Sequence, residues 1–228
     1  MVKPRLNSKL RDLILEECNK IAGSREIVAA YAYGPYIYGC EGGRYYVDVL
    51  LVVKPHIILR CYLRHVGDLE LSILMVDKRT FERDIEDEWF GGLITENLIT
   101  PYEPLINGAY IFDREIYVKK RMILELLNSL ILEYPEMSSE IMIAPEYFLY
   151  EVMVREASLF PPLTYRFLNL LREDVKARNV GLMMRGFRKA LDLLINEGIL
   201  ESSGEYLLIN RDYICLLYTS DAADDGES

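Results

Sequence analysis

The residues best placed to do chemistry lie in Tyr33-Gly34-Pro35, a glycine-rich passage to Arg44, and Tyr46-Val47-Asp48-Val49. The pattern reads as strand, tight turn, loop and strand, with a carboxylate near the start of the second strand. A glycine turn can aim backbone donors at phosphate, and a carboxylate can hold a hard cation. Glu70 in Leu69-Glu70-Leu71-Ser72 is a second acid on a later strand. Taken singly, Asp48 reads as a strand-edge aspartate bound to a turn amide, and Glu70 as a solvated strand residue. Tyr31, Tyr33, Tyr36, Tyr38, Tyr45 and Tyr46 cluster around the loop, where packing and base stacking are both open readings. His56 and His65 are an odd number apart on one strand, so they face opposite sides and do not share a ligand.

From Gly34 onward the chain resembles the nucleotidyltransferase superfamily, the DNA polymerase beta-like fold, in its small minimal form. That family's pattern is Gly-Ser, a loop, Asp-x-Asp on a strand and a third carboxylate on a later strand. The resemblance covers residues 5–112. It implies nucleotide-binding roles for Gly34, Pro35 and Gly39, and metal-binding catalytic roles for Asp48 and Glu70. It also implies Mg2+ as cofactor, a nucleotide triphosphate as partner, and transfer of a nucleoside monophosphate to an unknown acceptor. Two positions depart from the pattern. Pro35 stands at the serine position and has neither hydroxyl nor N–H. Tyr46 stands at the first carboxylate. Starting the pattern at Asp48 instead puts Leu50 at the second carboxylate. Three readings follow: an active transferase, a catalytically degenerate nucleotide-binding or regulatory protein acting through a winged helix, and a DNA-binding regulator.

The elements that must position these residues are legible in outline. Helical spacing predicts a helix over 6–22 ended by Gly23. Apolar runs predict strands over 27–33, 46–53, 56–65 and 69–76. Asp77 is a candidate cap for a helix over 78–86. A short helix stops at Thr100-Pro101, and a long one covers 114–133. Helices over 145–159, 163–172 and 180–196 follow, then a hairpin turning at Ser203-Gly204. The expected fold class is α+β: a small mixed sheet flanked by helices over 1–112, a connecting helix and linker over 113–144, and an all-α winged helix-turn-helix with a small hairpin over 145–214. Arg185, Arg188 and Lys189 on its last long helix are the candidate DNA-binding residues. A protein partner on the same helix is the competing reading. Lys119-Lys120-Arg121 reads as a solvated helix face.

Residues 215–228 resemble the translation of a transposon-based sequencing adapter and are expected to be non-native, the gene continuing past Ile214. They hold four carboxylates and no Lys or Arg, so residues 1–214 carry −6 of the chain's −10. That balance excludes a general attraction to nucleic acid. Cys18, Cys40 and Cys61 show no pairing or metal spacing, which points to a reduced cytoplasmic setting. Charges interrupt the apolar runs short of a membrane span. Abundant Ile, Leu, Tyr, Glu and Arg with little Gln suggest a thermophilic or archaeal source.

Overall fold

The computed structural model describes residues 6–39, 45–54, 59–91, 94 and 96–224. His56, Cys40 and the glycine-rich passage over 40–44 lie outside them. The chain divides into two units: Met1–Val118 with Pro162–Met183, and Lys119–Pro161 with Met184–Ser228.

The first unit is built on a five-stranded mixed sheet. Its strands are β1 (Glu26–Tyr33), β2 (Tyr45–Lys54), β3 (Leu59–Val66), β4 (Leu69–Asp77) and β5 (Glu103–Ile106), in the order β3-β4-β2-β1-β5. Only β2 and β4 run parallel; the other pairs are antiparallel. The run Ala29–Tyr33 is continuously buried because β1 lies inside the sheet. On β4 the odd residues Leu69, Leu71, Ile73 and Met75 are buried, while Glu70, Ser72 and Leu74 are half-buried. One sheet face is therefore packed and the other partly open. The edge strand β3 is exposed at Arg60, Cys61, Leu63, Arg64 and His65.

Helix α1 (Ser8–Ala22) starts at Asn7, whose side chain accepts from Leu10 N at 2.8 Å, and ends at Gly23 with φ 61°. Its Ile14, Cys18 and Ile21 are buried at helical spacing, and it packs on β1. A four-residue helix, α2 (Pro35–Tyr38), follows β1 directly and packs on β1 and β2. Helix α3 (Lys78–Asp87) packs on β2 and β4. Asp77 caps it, accepting from Thr80 N at 3.0 Å and Thr80 Oγ1 at 2.6 Å. The turn after it is held by the buried Asp84, which accepts from Phe90 N at 2.6 Å and Ile94 N at 2.9 Å. Helix α4 (Glu96–Ile99) leads into β5. The short strand β5 was not foreseen, and the third expected strand starts at Leu59 within the described residues.

Helix α5 (Gly108–Glu133) begins in the first unit and continues into the second. Helix α7 (Leu163–Leu170) belongs to the first unit, although its spacing in sequence had grouped it with the C-terminal helices. Helix α8 (Lys176–Asn196) is divided between the units after Met183.

The second unit contains α6 (Pro145–Leu159), the later parts of α5 and α8, the hairpin of β6 (Leu200–Ser203) and β7 (Tyr206–Ile209), and α9 (Arg211–Asp224). Gly198 (φ 73°) turns the chain out of α8 and Gly204 (φ 66°) forms the hairpin tip. Ile143 makes a single bridge to β7: it and Leu207 exchange both N–H···O bonds at 2.9 Å. Phe148, Leu149, Phe187, Leu191 and Leu194 are buried within this unit. Each such side chain contributes about 1.5–3 kcal/mol by leaving water. Helix α9 continues without a break past Ile214, and the Tyr218 hydroxyl donates to the Ile131 carbonyl at 3.2 Å. Among the described residues no helix is long and apolar enough to cross a membrane.

Candidate functional site

Gly34 and Asp48 come together because β1 and β2 are antiparallel, with Tyr33 paired to Asp48. At the end of β1, Gly34 adopts φ 92° and ψ −172° and starts α2. Only glycine takes that backbone without strain. A Cβ on Gly34 would lie 2.5 Å from Asp48 Oδ2, so the carboxylate rests against the bare Cα.

On the parallel side Tyr46 pairs with Glu70, and Asp48 with Ser72. Residues two apart on a strand share a face, so all four side chains occupy the half-open side of the sheet. The Asp48 carboxylate is hydrogen-bonded to the hydroxyls of Tyr46 and Ser72. Burial pushes its pKa up, and those two bonds and the Arg166 charge only partly offset the shift. Burial likewise raises the Tyr46 and Tyr33 hydroxyls, with the Asp48 charge as the next cause in both. Glu70 Oε1 lies 3.8 Å from His65 Nε2.

The turn itself is also chemically occupied. The Gly34 backbone hydrogen-bonds to the Tyr38 hydroxyl, which lies 3.0 Å from Thr100 Oγ1. Pro35 supplies no N–H. The carbonyls at the far end of α2 are held from α8: Arg178 Nη1 donates to Ile37 O at 3.0 Å, and the fully buried Asn179 donates to Tyr38 O at 3.0 Å and Leu170 O at 3.1 Å. Arg166 on α7 donates to Asn97 Oδ1 at 3.2 Å. Its charge opposes the pKa rise of Asp48, Tyr33 and Tyr38. Gly39 ends α2 with φ 92°.

The structure therefore brings Gly34 and Asp48 into contact and places Glu70 on the neighbouring strand of the same face. Sequence reasoning passed over Ser72, Arg166 and Asn179, and read Tyr38 only as one of the aromatic cluster around the loop. Ser72 had a usable signal, since it follows Glu70 by two on a strand. Arg166 and Asn179 reach the site through packing.

A magnesium ion takes near-octahedral hard oxygen ligands, commonly one or two carboxylates with substrate phosphates and waters. The carboxylates on this face are Asp48 and Glu70, on adjacent strands, and burial raises the pKa of Asp48. No group of three or more His, Cys, Asp or Glu is placed to hold a metal ion among the described residues.

Arg185, Arg188 and Lys189 are exposed and share one face of α8. They line a groove of about 830 Å3 in the second unit, together with the start of α6 and the strand β7. The groove also carries Glu146, Asp192 and Glu205. Arg188 lies 4.0 Å from Glu146, and Lys189 lies 3.4 Å from Asp192.

No protein-family model matches the chain, and no curated protein does. The chain is similar to a solved crystal structure of a nucleotidyltransferase-like protein from Exiguobacterium sibiricum 255-15. The identity is 11%, the overlap covers 88% of this chain and 99% of that one, and the TM-score is 0.36. A likeness that loose carries no argument about function.

Proposed function

We propose that the sheet unit is a nucleotidyltransferase-type scaffold without transfer activity, and that the protein serves as a binding or regulatory module. The fold part of this reading is supported by the order of parts: glycine turn after β1, Asp48 near the start of β2, and Glu70 on the strand parallel to it. The loss of chemistry rests on one observation. The groups that would hold metal and phosphate are spent on the protein itself, Asp48 on Tyr46 and Ser72, and the Gly34 backbone on Tyr38.

Incubation with nucleotide triphosphates and Mg2+ tests this directly. The expected result is no release of pyrophosphate. Release that vanishes in Asp48→Asn would establish the active-transferase reading instead.

For the second unit, the bridge from Ile143, between α5 and α6, to the hairpin, with α8 leading into β6 and β7, supports a winged helix. The balance of three basic against three acidic residues in its groove favours a protein partner over a nucleic acid. Duplex DNA affinity that falls on replacing Arg185, Arg188 and Lys189 with Ala would reverse that preference.

A further inference from the structure

Strand β3 ends the sheet order, and among the described residues only β4 pairs with it. Such an edge carries a row of N–H and C=O groups that a further strand can take up. The turn that follows fixes which residues supply them. Val66 pairs with Leu69 across the two-residue turn Gly67-Asp68, with Gly67 at φ 61°. The closing pair of such a hairpin exchanges both its bonds, and bonded and non-bonded pairs alternate from there. Cys61, Leu63 and His65 therefore turn their backbone groups outward. The Leu63 carbonyl agrees with this, since it accepts from the exposed Arg64 Nη1 at 3.2 Å.

Charge on an edge strand usually opposes pairing. The strand carries Arg60, Arg64 and His65 and no acid. Arg64 Nε, however, lies 3.8 Å from the buried Glu17, and His65 Nε2 lies 3.8 Å from Glu70 Oε1. A carboxylate of the same chain thus meets each of these two bases. Leu63, 65% exposed, stands at the middle of the outward row.

The order of residues suits pairing of the strand with itself. Two antiparallel copies related by a two-fold axis at Leu63 set Leu63 opposite Leu63, Tyr62 opposite Arg64, Cys61 opposite His65 and Arg60 opposite Val66. No base then faces a base, and every outward residue meets another. The Tyr62–Arg64 pairing repeats between copies a contact already made within the strand, where the guanidinium lies 5.7 Å from the ring centroid. Shifting the axis to Tyr62 sets Arg60 against Arg64, and shifting it to Arg64 sets that residue against itself. Like charges directly opposite are destabilising. An axis at Cys61 or His65 leaves part of the outward row without a partner in β3. We propose that a second copy of this chain docks on β3 in the Leu63-centred register, joining two five-stranded sheets into one.

Sedimentation equilibrium of the full chain tests this. A monomer–dimer equilibrium with Kd of about 1–100 µM is expected. Leu63→Lys sets two ammonium groups against each other at the axis and should weaken the dimer about tenfold or more. Leu63→Pro removes an outward N–H that β4 does not use, and should weaken it about as much, which separates strand pairing from a side-chain contact. Leu168→Lys, at an exposed apolar side chain on α7, should leave the dimer intact. Circular dichroism identifies the variants that fold. A chain still monomeric at about 500 µM would overturn the inference. So would a dimer unchanged in a folded Leu63 variant, or one weakened equally by Leu168→Lys.

Discussion

The Asp48 carboxylate occupies the space that a side chain on Gly34 would need, with Oδ2 2.5 Å from the position of such a Cβ. Gly34→Ala therefore faces two costs, a left-handed φ of 92° and a displaced carboxylate that must leave Tyr46 and Ser72. The expected loss is about 2–4 kcal/mol. Urea unfolding monitored by circular dichroism measures it, and a loss below about 0.5 kcal/mol would mean that the turn tolerates a side chain.

Asp48 gives stability a defined pH slope. Its pKa in the fold is raised above the ordinary 3.8 by burial. The folded chain then holds the proton more tightly than the unfolded chain. This contribution is fully present below pH 3.8 and is lost as pH rises through the folded value. Asp48→Asn is expected to remove that slope and to match or exceed the parent in stability at pH 7, by up to about 1 kcal/mol. Unfolding curves of both proteins across pH 4–7 check the sign.

Asn179 holds α7 and α2 through two buried carbonyl acceptors, Leu170 O and Tyr38 O. Removing the amide leaves both without it in a site with no exposure. Asn179→Ala should cost about 2–4 kcal/mol. Hydrogen exchange should show faster opening at Ile37 and Tyr38 than at the buried strand residues of β2. Uniform acceleration across the unit would contradict the local role.

Tyr46 and Glu70 are neighbours across β2 and β4, on the face shared with Asp48. Tyr46→Asp combined with Pro35→Ser should place a second carboxylate beside Glu70 and restore a hydroxyl and an N–H at the turn. The double variant is expected to gain Mg2+-dependent binding of a nucleotide triphosphate, with the parent showing none. Isothermal calorimetry with and without Mg2+ decides it.

What the sequence disclosed follows from how local each signal is. The Asp77 side chain sits beside the amide it caps, and the whole of α6 has its Pro145 start marked in the chain, whereas the Asn7 cap of α1 was not read. The apolar run of β1 and the position of Asp48 near the start of β2 were legible for the same reason, whereas the pairing of Asp48 with Tyr33 was not. The strand Glu103–Ile106 was missed because it is four residues long, contains Pro104 and is defined by pairing with β1. Pro35 was read as a loss of phosphate contacts, yet it also opens a helical turn at the position where proline is tolerated. Tyr38 was legible only as one of the aromatic cluster, and Arg166 gave no signal, since their roles depend on where α2 and α7 pack.

The strand β2 keeps its site residues at its start. Val47, Val49, Leu51 and Val53 on one face and Leu50 and Val52 on the other are fully buried, while Tyr46 and Asp48 stand on the less buried stretch beside Glu70 and Ser72. Because the two sets do not overlap, a change at 46 leaves the packed set untouched. An architecture of this kind can be inherited intact after its reaction has gone, and it offers a finished frame on which another binding task can be written.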